Sequence, residues 1–324
     1  MNFWDRLDKP FFVLAPMEAV TDVVFRHVVK KAGAPDVFFT EFTNATGWVH
    51  AGEKAVRGRL YKTDDEKPIV AQIWGGEVGD MEALAHHCAR LGFDGIDINM
   101  GCPAKSAVKS GGSALILKPD LAVEAIAAAK LAGLPVSVKT RLGYSRVEEW
   151  RDWLATLLKQ DLVALTVHLR TKKEMSKVPA HFELIPDIKK LRDELAPQTL
   201  LIINGDIEDR THGLKLVEKY GVDGVMIGRG IFHNPLAFRK NLPNEAELKN
   251  QLLELLRYHL DTYDRYVEMT GRPYDTLKRF FKIYVRDFEG ASEVRDKLMH
   301  TTSTSEARRI IAAVSTVATQ PVSV

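Results

Sequence analysis

Cys102 stands where an apolar run, Gly95-Ile96-Asp97-Ile98-Asn99, gives way to Met100-Gly101-Cys102-Pro103-Ala104-Lys105 and then to a glycine-rich turn, Ser110-Gly111-Gly112-Ser113. A thiol attacks carbon or moves a proton only where it is exposed and in electropositive surroundings. The end of a strand, just before a flexible loop, is where such a spot is usually built. Taken alone, a cysteine beside a proline is more often a small buried thiol.

The other polar residues worth weighing recur at the same kind of place. Pro16, Met17 and Glu18 end one apolar run, Glu41 and Asn44 follow the next, and Gln72 lies on the third. Asn99 and Cys102 are followed by Lys139 and Arg141, His168 and Arg170, Asn204-Gly205-Asp206, and Gly228-Arg229-Gly230. Each has an ordinary structural reading: Gln72 or Asn99 as a strand cap, Lys139 reaching from a rim to water, His168 as a satisfied structural histidine. Their joint occurrence at six or more run ends is much less ordinary.

The runs themselves are Phe12–Met17, Val37–Phe42, Pro68–Trp74, Gly95–Asn99, Pro135–Thr140, Ala164–Leu169, Thr199–Asn204 and Gly224–Gly228. Between them, segments such as Asp80–Leu91, Leu121–Ala132, Val147–Gln160 and His212–Tyr220 carry apolar residues at helical spacing. Strands alternating with helices predict a parallel sheet. Eight such units fit a (β/α)8 TIM barrel, because a doubly wound sheet would want a glycine fingerprint after its first strand, and Ala15-Pro16-Met17-Glu18-Ala19-Val20-Thr21-Asp22 has no glycine. Barrel active sites form at the C-terminal ends of the strands, which is where the polar set falls.

Two features point to the ligand. Asn204-Gly205-Asp206 and Gly228-Arg229-Gly230 follow the last two strands, where many barrels bind phosphate through backbone N–H groups, and Arg229 adds a bidentate charge. Lys139 points into the mouth, suited to charge developing on a ring carbonyl. A lysine there could instead form a Schiff base, but the cysteine loop would have no role in such chemistry.

After Asn241-Leu242-Pro243-Asn244 the pattern becomes helical only. Leu248, Leu252, Leu255, Leu256, Leu260, Tyr263 and Val267 share one face, and Leu277, Phe281, Tyr284, Val285 and Phe288 another. Ser303-Thr304-Ser305-Glu306 reads as a capping box opening a last short helix. The expectation is a catalytic barrel over residues 1–242 and an all-helical C-terminal domain over 243–324.

At 324 residues, 45% hydrophobic and 27% charged, the composition is that of an ordinary globular protein. Asp5, Arg6, Asp8 and Lys9 interrupt the N-terminus before any signal-like run, and no apolar stretch approaches the roughly 20 residues that span a bilayer. Two cysteines exclude a disulfide framework or a Cys-rich zinc site, so no metal is expected. These readings predict a cytoplasmic protein. Of the net charge of +2, Arg272 to Ile310 carries nine Lys/Arg against six Asp/Glu, leaving about −1 elsewhere.

The set Ala15–Asp22, Asn99–Lys105 with Gly111-Gly112-Ser113-Ala114-Leu115, Val138-Lys139-Thr140-Arg141, His168-Leu169-Arg170-Thr171, Asn204-Gly205-Asp206 and Gly228-Arg229-Gly230 resembles the tRNA-dihydrouridine synthases in order and spacing from about residue 11 to residue 240. That resemblance implies an FMN enzyme reducing the C5=C6 bond of particular uridines in tRNA, with NADPH reloading the flavin. It implies that Cys102 protonates C5 while a hydride reaches C6. A thiol with an ordinary pKa of about 8.5 is mostly protonated near neutrality and suits that role. Carried over, Pro16, Met17 and Glu18 would line the flavin ring, and Gln72 and Lys139 would contact it, Lys139 near N1 and O2. His168, Asn204, Gly205, Asp206, Gly228 and Arg229 would hold the ribityl chain and phosphate. Asn99 and Arg170 would lie beside the uracil. Met100 and Leu169 depart from the family pattern: Met100 leaves one candidate acid, and Leu169 bears on the mouth and on the geometry from His168 to Arg170.

For the RNA, Lys278, Arg279, Lys282 and Arg286 read as one basic face opposite the core stripe, with Lys105 and Lys109 on the cysteine loop and Lys172, Lys173 and Lys177 after the sixth strand. Extracting a base from its stack requires holding the flanking phosphates, which this track would do in a salt-dependent way. No obligate protein partner is evident, and a monomer is expected. Two other readings remain: a flavin barrel acting on a small free pyrimidine, as dihydroorotate dehydrogenases do, and an RNA-binding protein that keeps the barrel without the chemistry.

Overall fold

The computed structural model describes residues 2–56, 58–109 and 111–317. Ser110 of the glycine-rich turn, and residues 318–324 of the expected helical domain, lie outside the described residues. The strands are β1 (Phe11–Leu14), β2 (Phe38–Phe39), β3 (Thr43–Asn44), β4 (Ile69–Trp74), β5 (Gly95–Met100), β6 (Val136–Arg141), β7 (Ala164–His168), β8 (Leu200–Asn204) and β9 (Gly224–Ile227). All pair in parallel in the order β1-β9-β8-β7-β6-β5-β4-β2, with β3 beside β4. A parallel bridge from Val13 to Val37 brings the two ends together, with the Leu14 N–H donating to the Val37 carbonyl at 3.2 Å. The result is the (β/α)8 barrel.

The second expected strand differs from the sequence reading: of Val37–Phe42 only Phe38–Phe39 pairs as a strand, β2, and β3 follows beyond the run at Thr43–Asn44. Thr40 supplies the reason. Its hydroxyl accepts from the Gln72 N–H (3.0 Å) and donates to the Glu41 carbonyl (2.7 Å), so a side chain replaces part of the backbone ladder.

Alternation along each strand sorts the side chains. Phe11 and Val13 face inward with Phe39, Val70, Ile202 and Met226, while Phe12 and Leu14 face the helices. The same period sets Ile96, Ile98, Val136 and Val138 against the helical layer, which leaves Asp97, Asn99, Ser137 and Lys139 directed into the barrel. Trp4 closes the opposite end, packed edge-on to Phe11 and Phe39. At that end three loop aspartates cap strand amides: Asp36 accepts from Phe12 N–H (2.7 Å), Asp94 from Ile69 N–H (2.8 Å) and Asp223 from Leu201 N–H (2.8 Å).

The C-terminal helices are Glu245–Thr270, Lys278–Tyr284, Ala291–Met299 and Thr304–Val317. Asn244 caps the first by accepting from Glu247 N–H, and Gly271 ends it in the left-handed conformation. This long helix lies against the barrel helix Val23–Gly33, and Phe25 of the barrel helix also stacks on Phe280 of Lys278–Tyr284 with ring centres 4.7 Å apart. The apolar core therefore runs unbroken from the barrel's outer layer into the C-terminal helices. The last helix is 14 residues long rather than short. Ser303 Oγ accepts from the Glu306 N–H, as a capping box requires, but Glu306 reaches back to Thr302 N–H. Among the described residues no helix is long and apolar enough to cross a membrane, and no cluster of residues suits a metal ion.

Candidate active site

At the C-terminal ends of the strands opens a cavity of about 530 Å³, within the roughly 300–1,000 Å³ range of small-molecule and cofactor sites. Its walls include Pro16, Met17, Pro103, Lys139, Arg141, His168, Asn204, Gly205, Asp206, Gly228 and Arg229. Thus nine of the sequence-derived cofactor residues converge on one space. Glu18 turns away to an ion pair with Arg59, and Gln72 lies beneath the floor, fully buried.

Gln72 belongs to a directional chain of hydrogen bonds. Ser137 Oγ donates to Asp97 Oδ1 (2.6 Å), and Gln72 Nε2 donates to Asp97 Oδ2 (2.7 Å). Asn99 Nδ2 donates to Gln72 Oε1 (3.0 Å), and Asn99 Oδ1 accepts from the backbone N–H groups of Gly101 (3.1 Å) and Cys102 (2.9 Å). A carboxylate only accepts and a backbone N–H only donates, so the two ends dictate the same orientation for both amides. Burial pushes Asp97 up to about 6, opposed by Ser137, Gln72 and Lys139, so it is ionised near neutrality.

Cys102 is half-buried beside Pro103. The Cys102 carbonyl accepts from Ser113 N–H (3.2 Å), folding the glycine-rich turn back on the cysteine. Gly111 and Gly112 are required there. A Cβ at Gly111 would fall 2.7 Å from the Gly75 carbonyl oxygen, and Gly112 has φ +56. Burial raises the thiol pKa, against weaker opposing effects of Ala104 N–H, Lys139 and Arg141, so the thiol keeps its proton near neutrality.

The cavity wall is cationic. Lys139 is lowered to about 8 by burial and by Arg141, and Arg141 to about 10 by burial and by Arg170. Arg141 ties strand ends together, donating to the carbonyls of Gly101 (2.8 Å), Thr171 (3.0 Å) and Met175 (3.0 Å). Burial, then Arg141, Lys139, Arg170 and Arg229, hold His168 well below the usual histidine range, so it is neutral. Arg170 Nη1 lies 3.2 Å from His168 Nε2. A guanidinium can only donate, so Nε2 accepts and the proton sits on Nδ1. Gly205, at φ +117, packs its bare Cα against that ring: a Cβ would stand 3.1 Å from His168 Cδ2.

Arg170 is not at the mouth. Its side chain is 2% exposed and is paired with Asp206, while Nε donates to the Val178 carbonyl (2.6 Å). Asp206 also accepts from Ala180 N–H (3.1 Å) and from Arg229 (3.3 Å), so its carboxylate braces two arginines. Arg229 itself is 60% exposed and overhangs the cavity. Leu169 and Met100 are both fully buried in the core, so neither departure narrows the mouth.

The basic stripe of the C-terminal helices is likewise divided. The helix Lys278–Tyr284 ends before Arg286, so the four residues do not share one helical face. Arg279 donates to the carbonyl of Ala19 (3.1 Å), on a barrel loop, and Arg286 to that of His233, at the end of the short barrel helix Gly230–His233. Lys278 pairs with Asp275 (2.7 Å). Lys282, and Lys105 near the cysteine, are exposed. Sequence reasoning did not single out Asp97 as a site residue. The signal was its inward register, two positions before Asn99.

Residues 13–320 match the family model described as dihydrouridine synthase. A protein of Bacillus subtilis named probable tRNA-dihydrouridine synthase 2 is 61% identical over 312 residues, 96% of this chain and 95% of that one. A probable tRNA-dihydrouridine synthase of Staphylococcus aureus is 58% identical over 312 residues, 96% of this chain and 94% of that one. Among solved structures, a 2-naphthoyl-CoA reductase in complex with 2-naphthoyl-CoA shares the fold at a TM-score of 0.54 and 9% identity, covering 71% of this chain and 49% of that one.

Proposed function

The chain belongs to the dihydrouridine synthase family, and from that premise we propose that it reduces the C5=C6 bond of particular uridines in tRNA to dihydrouridine, using FMN, with NADPH as reductant and Cys102 as proton source. The observation that carries the reading is the placement of Cys102: a protonated thiol, fixed through its backbone by Asn99, beside a cation-walled cavity of cofactor size.

The walls suit a flavin nucleotide. Lys139 offers an ammonium to the electron-rich edge of a ring, and Arg229 with the glycine edges Gly205 and Gly228 suits a phosphate. Neutral His168 offers its Nδ1–H to a polar chain between them. When bound, the flavin supplies the hydride. The chain's own task is then to hold the uracil and deliver a proton to C5. A thiol whose pKa is raised remains loaded at neutral pH, and its fixed backbone limits where that proton can go.

For the substrate, exposed Lys105 and Lys282 offer phosphate contacts, with Lys278 a weaker one because of Asp275. Asn99, with both amide ends engaged, serves the cysteine backbone before it serves uracil. In this reading the enzyme is a cytoplasmic monomer without an obligate protein partner. In this reading, residues 1–242 form the catalytic unit and the helices from 243 the tRNA-recognising one.

The test is mass spectrometry for dihydrouridine in unmodified tRNA incubated with protein, FMN and NADPH, beside Cys102→Ala. Dihydrouridine from the wild type, nearly lost in the variant, is the expected result. A flavin-loaded wild type that oxidises NADPH yet leaves tRNA unchanged would overturn the tRNA assignment.

A further inference from the structure

Ala19 lies two residues past Met17 in the loop that walls the cavity, and it holds a left-handed conformation, φ 57, although it has a Cβ. Such a conformation persists where surrounding groups over-determine it. Both of its backbone groups are taken by side chains from far away. The N–H donates to Glu41 Oε1, and the carbonyl accepts from Arg279 Nη1 at 3.1 Å. Glu41 is fully buried, and Arg272 Nη2 lies 2.7 and 2.8 Å from its two oxygens. Arg272 Nε also stands 4.0 Å from Asp22 Oδ2, the cap of the helix that follows the loop.

Arg272 and Arg279 belong to the segment that follows the long C-terminal helix, more than 230 residues from Glu41 and Ala19 in sequence. The end of the long helix, just before that segment, sits hard against the barrel: a Cβ on Gly58 would fall 2.6 Å from Thr270 Cα. Next to it, Arg59 pairs with Glu18, the neighbour of Ala19. The loop is thus held on one side by the barrel's own Arg59 and on the other by the C-terminal helices.

We infer that Arg272, through Glu41, and Arg279 are positioning residues of the flavin site, by which the C-terminal helices hold the Pro16–Ala19 loop in the form that walls the cavity. The inference rests on the reading that this cavity takes a flavin. It assigns the C-terminal helices a part in cofactor binding that is independent of tRNA. Burial and Asp22 already push Glu41 up to about 7. Without Arg272 it would lose both hydrogen bonds from the guanidinium and keep only the weaker attraction of Arg59, so its carboxyl would take up a proton and the acceptor for Ala19 N–H would shift. Without Arg279, the Ala19 carbonyl would lose its partner while the fold kept its core.

Apoprotein titrated with FMN, followed by quenching of flavin fluorescence alongside thermal melting, tests this without turnover. Arg279→Ala should weaken FMN about threefold, and Arg272→Met by about tenfold or more, the scale of one charge-assisted hydrogen bond. Arg272→Lys should lie between wild type and Arg272→Met. The double variant Glu41→Gln/Arg272→Met replaces that stranded carboxyl by a neutral amide, so its melting temperature should return toward wild type while its FMN affinity stays weak. FMN affinity that recovers together with stability would reduce Arg272 to a structural role and overturn the inference. So would unchanged affinity in Arg279→Ala, which decides the matter should Arg272→Met fail to fold. A wild type that binds no FMN would instead overturn the flavin reading itself.

Discussion

The side-chain carbonyl of Asn99 accepts hydrogen bonds from the backbone N–H groups of both Gly101 and Cys102, so the position of the thiol is set by a residue three places before it. Asn99→Ala removes both bonds and frees the loop. Because an ångström of misplacement can cost about 10²-fold in rate, dihydrouridine formation should fall by that order. NADPH oxidation by the flavin-loaded variant should stay near wild type, which stopped-flow absorbance would read. Equal loss in both half-reactions would instead mean that Asn99 supports the whole cavity.

Lys139 sets a stability cost against function. Burial, then Arg141, lowers it to about 8, below its unfolded value near 10.5. For a lysine this is the inverted case: at neutral pH the folded state carries a charge it would rather shed. That cost is relieved as pH rises from about 8 toward 10.5. Lys139→Met should therefore stabilise the apoprotein at pH 7 by about 1–3 kcal/mol and flatten its stability profile above pH 8. FMN affinity should move the opposite way. In the wild type it should weaken above about pH 8, and in the variant it should be weak and independent of pH there.

Arg170 and Asp206 should behave as a unit. Arg170→Met leaves Asp206 with the exposed Arg229 and Ala180 N–H, and strands the Val178 carbonyl and His168 Nε2. The expected cost is about 1–3 kcal/mol in thermal or denaturant unfolding, moderated because Asp206 is 34% exposed. Asp206→Asn should cost less, since the neutral amide still accepts from Arg170. If Arg170→Met kept full stability and lost only tRNA turnover, the arginine would belong beside the substrate as the resemblance implied.

The barrel was legible in the sequence because eight apolar runs alternate with segments of helical spacing, and six or more run ends carry polar residues of types that packing alone does not explain. Cys102, Lys139, His168, Gly205 and Arg229 stood out for that reason; the structure brings the last four into one cavity wall and sets Cys102 next to it, beside Pro103. The functions of Arg170, Arg279 and Arg286 were not legible, since an arginine reads the same whether it faces a phosphate or a backbone carbonyl. Their partners, Asp206, Ala19 and His233, are chosen by tertiary contacts that no local pattern encodes. The break between β2 and β3 was hidden likewise, because Thr40 fits a strand by propensity and leaves it only through its hydroxyl's bond to Gln72.

That division of the basic residues separates salt-dependent from salt-independent effects. Lys282 and Lys105 are exposed, whereas Arg286 is tied to the His233 carbonyl and Asp287. Each lysine that meets a phosphate releases about one counterion, so Lys282→Ala or Lys105→Ala should lower the slope of log affinity against log salt by about 0.7–0.9. Lys278→Ala should change it less, because Asp275 already compensates that charge. Arg286→Ala should leave the slope alone and lower the melting temperature, because its partner is the barrel. Filter binding of tRNA across a salt series, paired with melting curves, distinguishes the two classes. A slope change in Arg286→Ala equal to that in Lys282→Ala would mean that the guanidinium leaves His233 when RNA arrives.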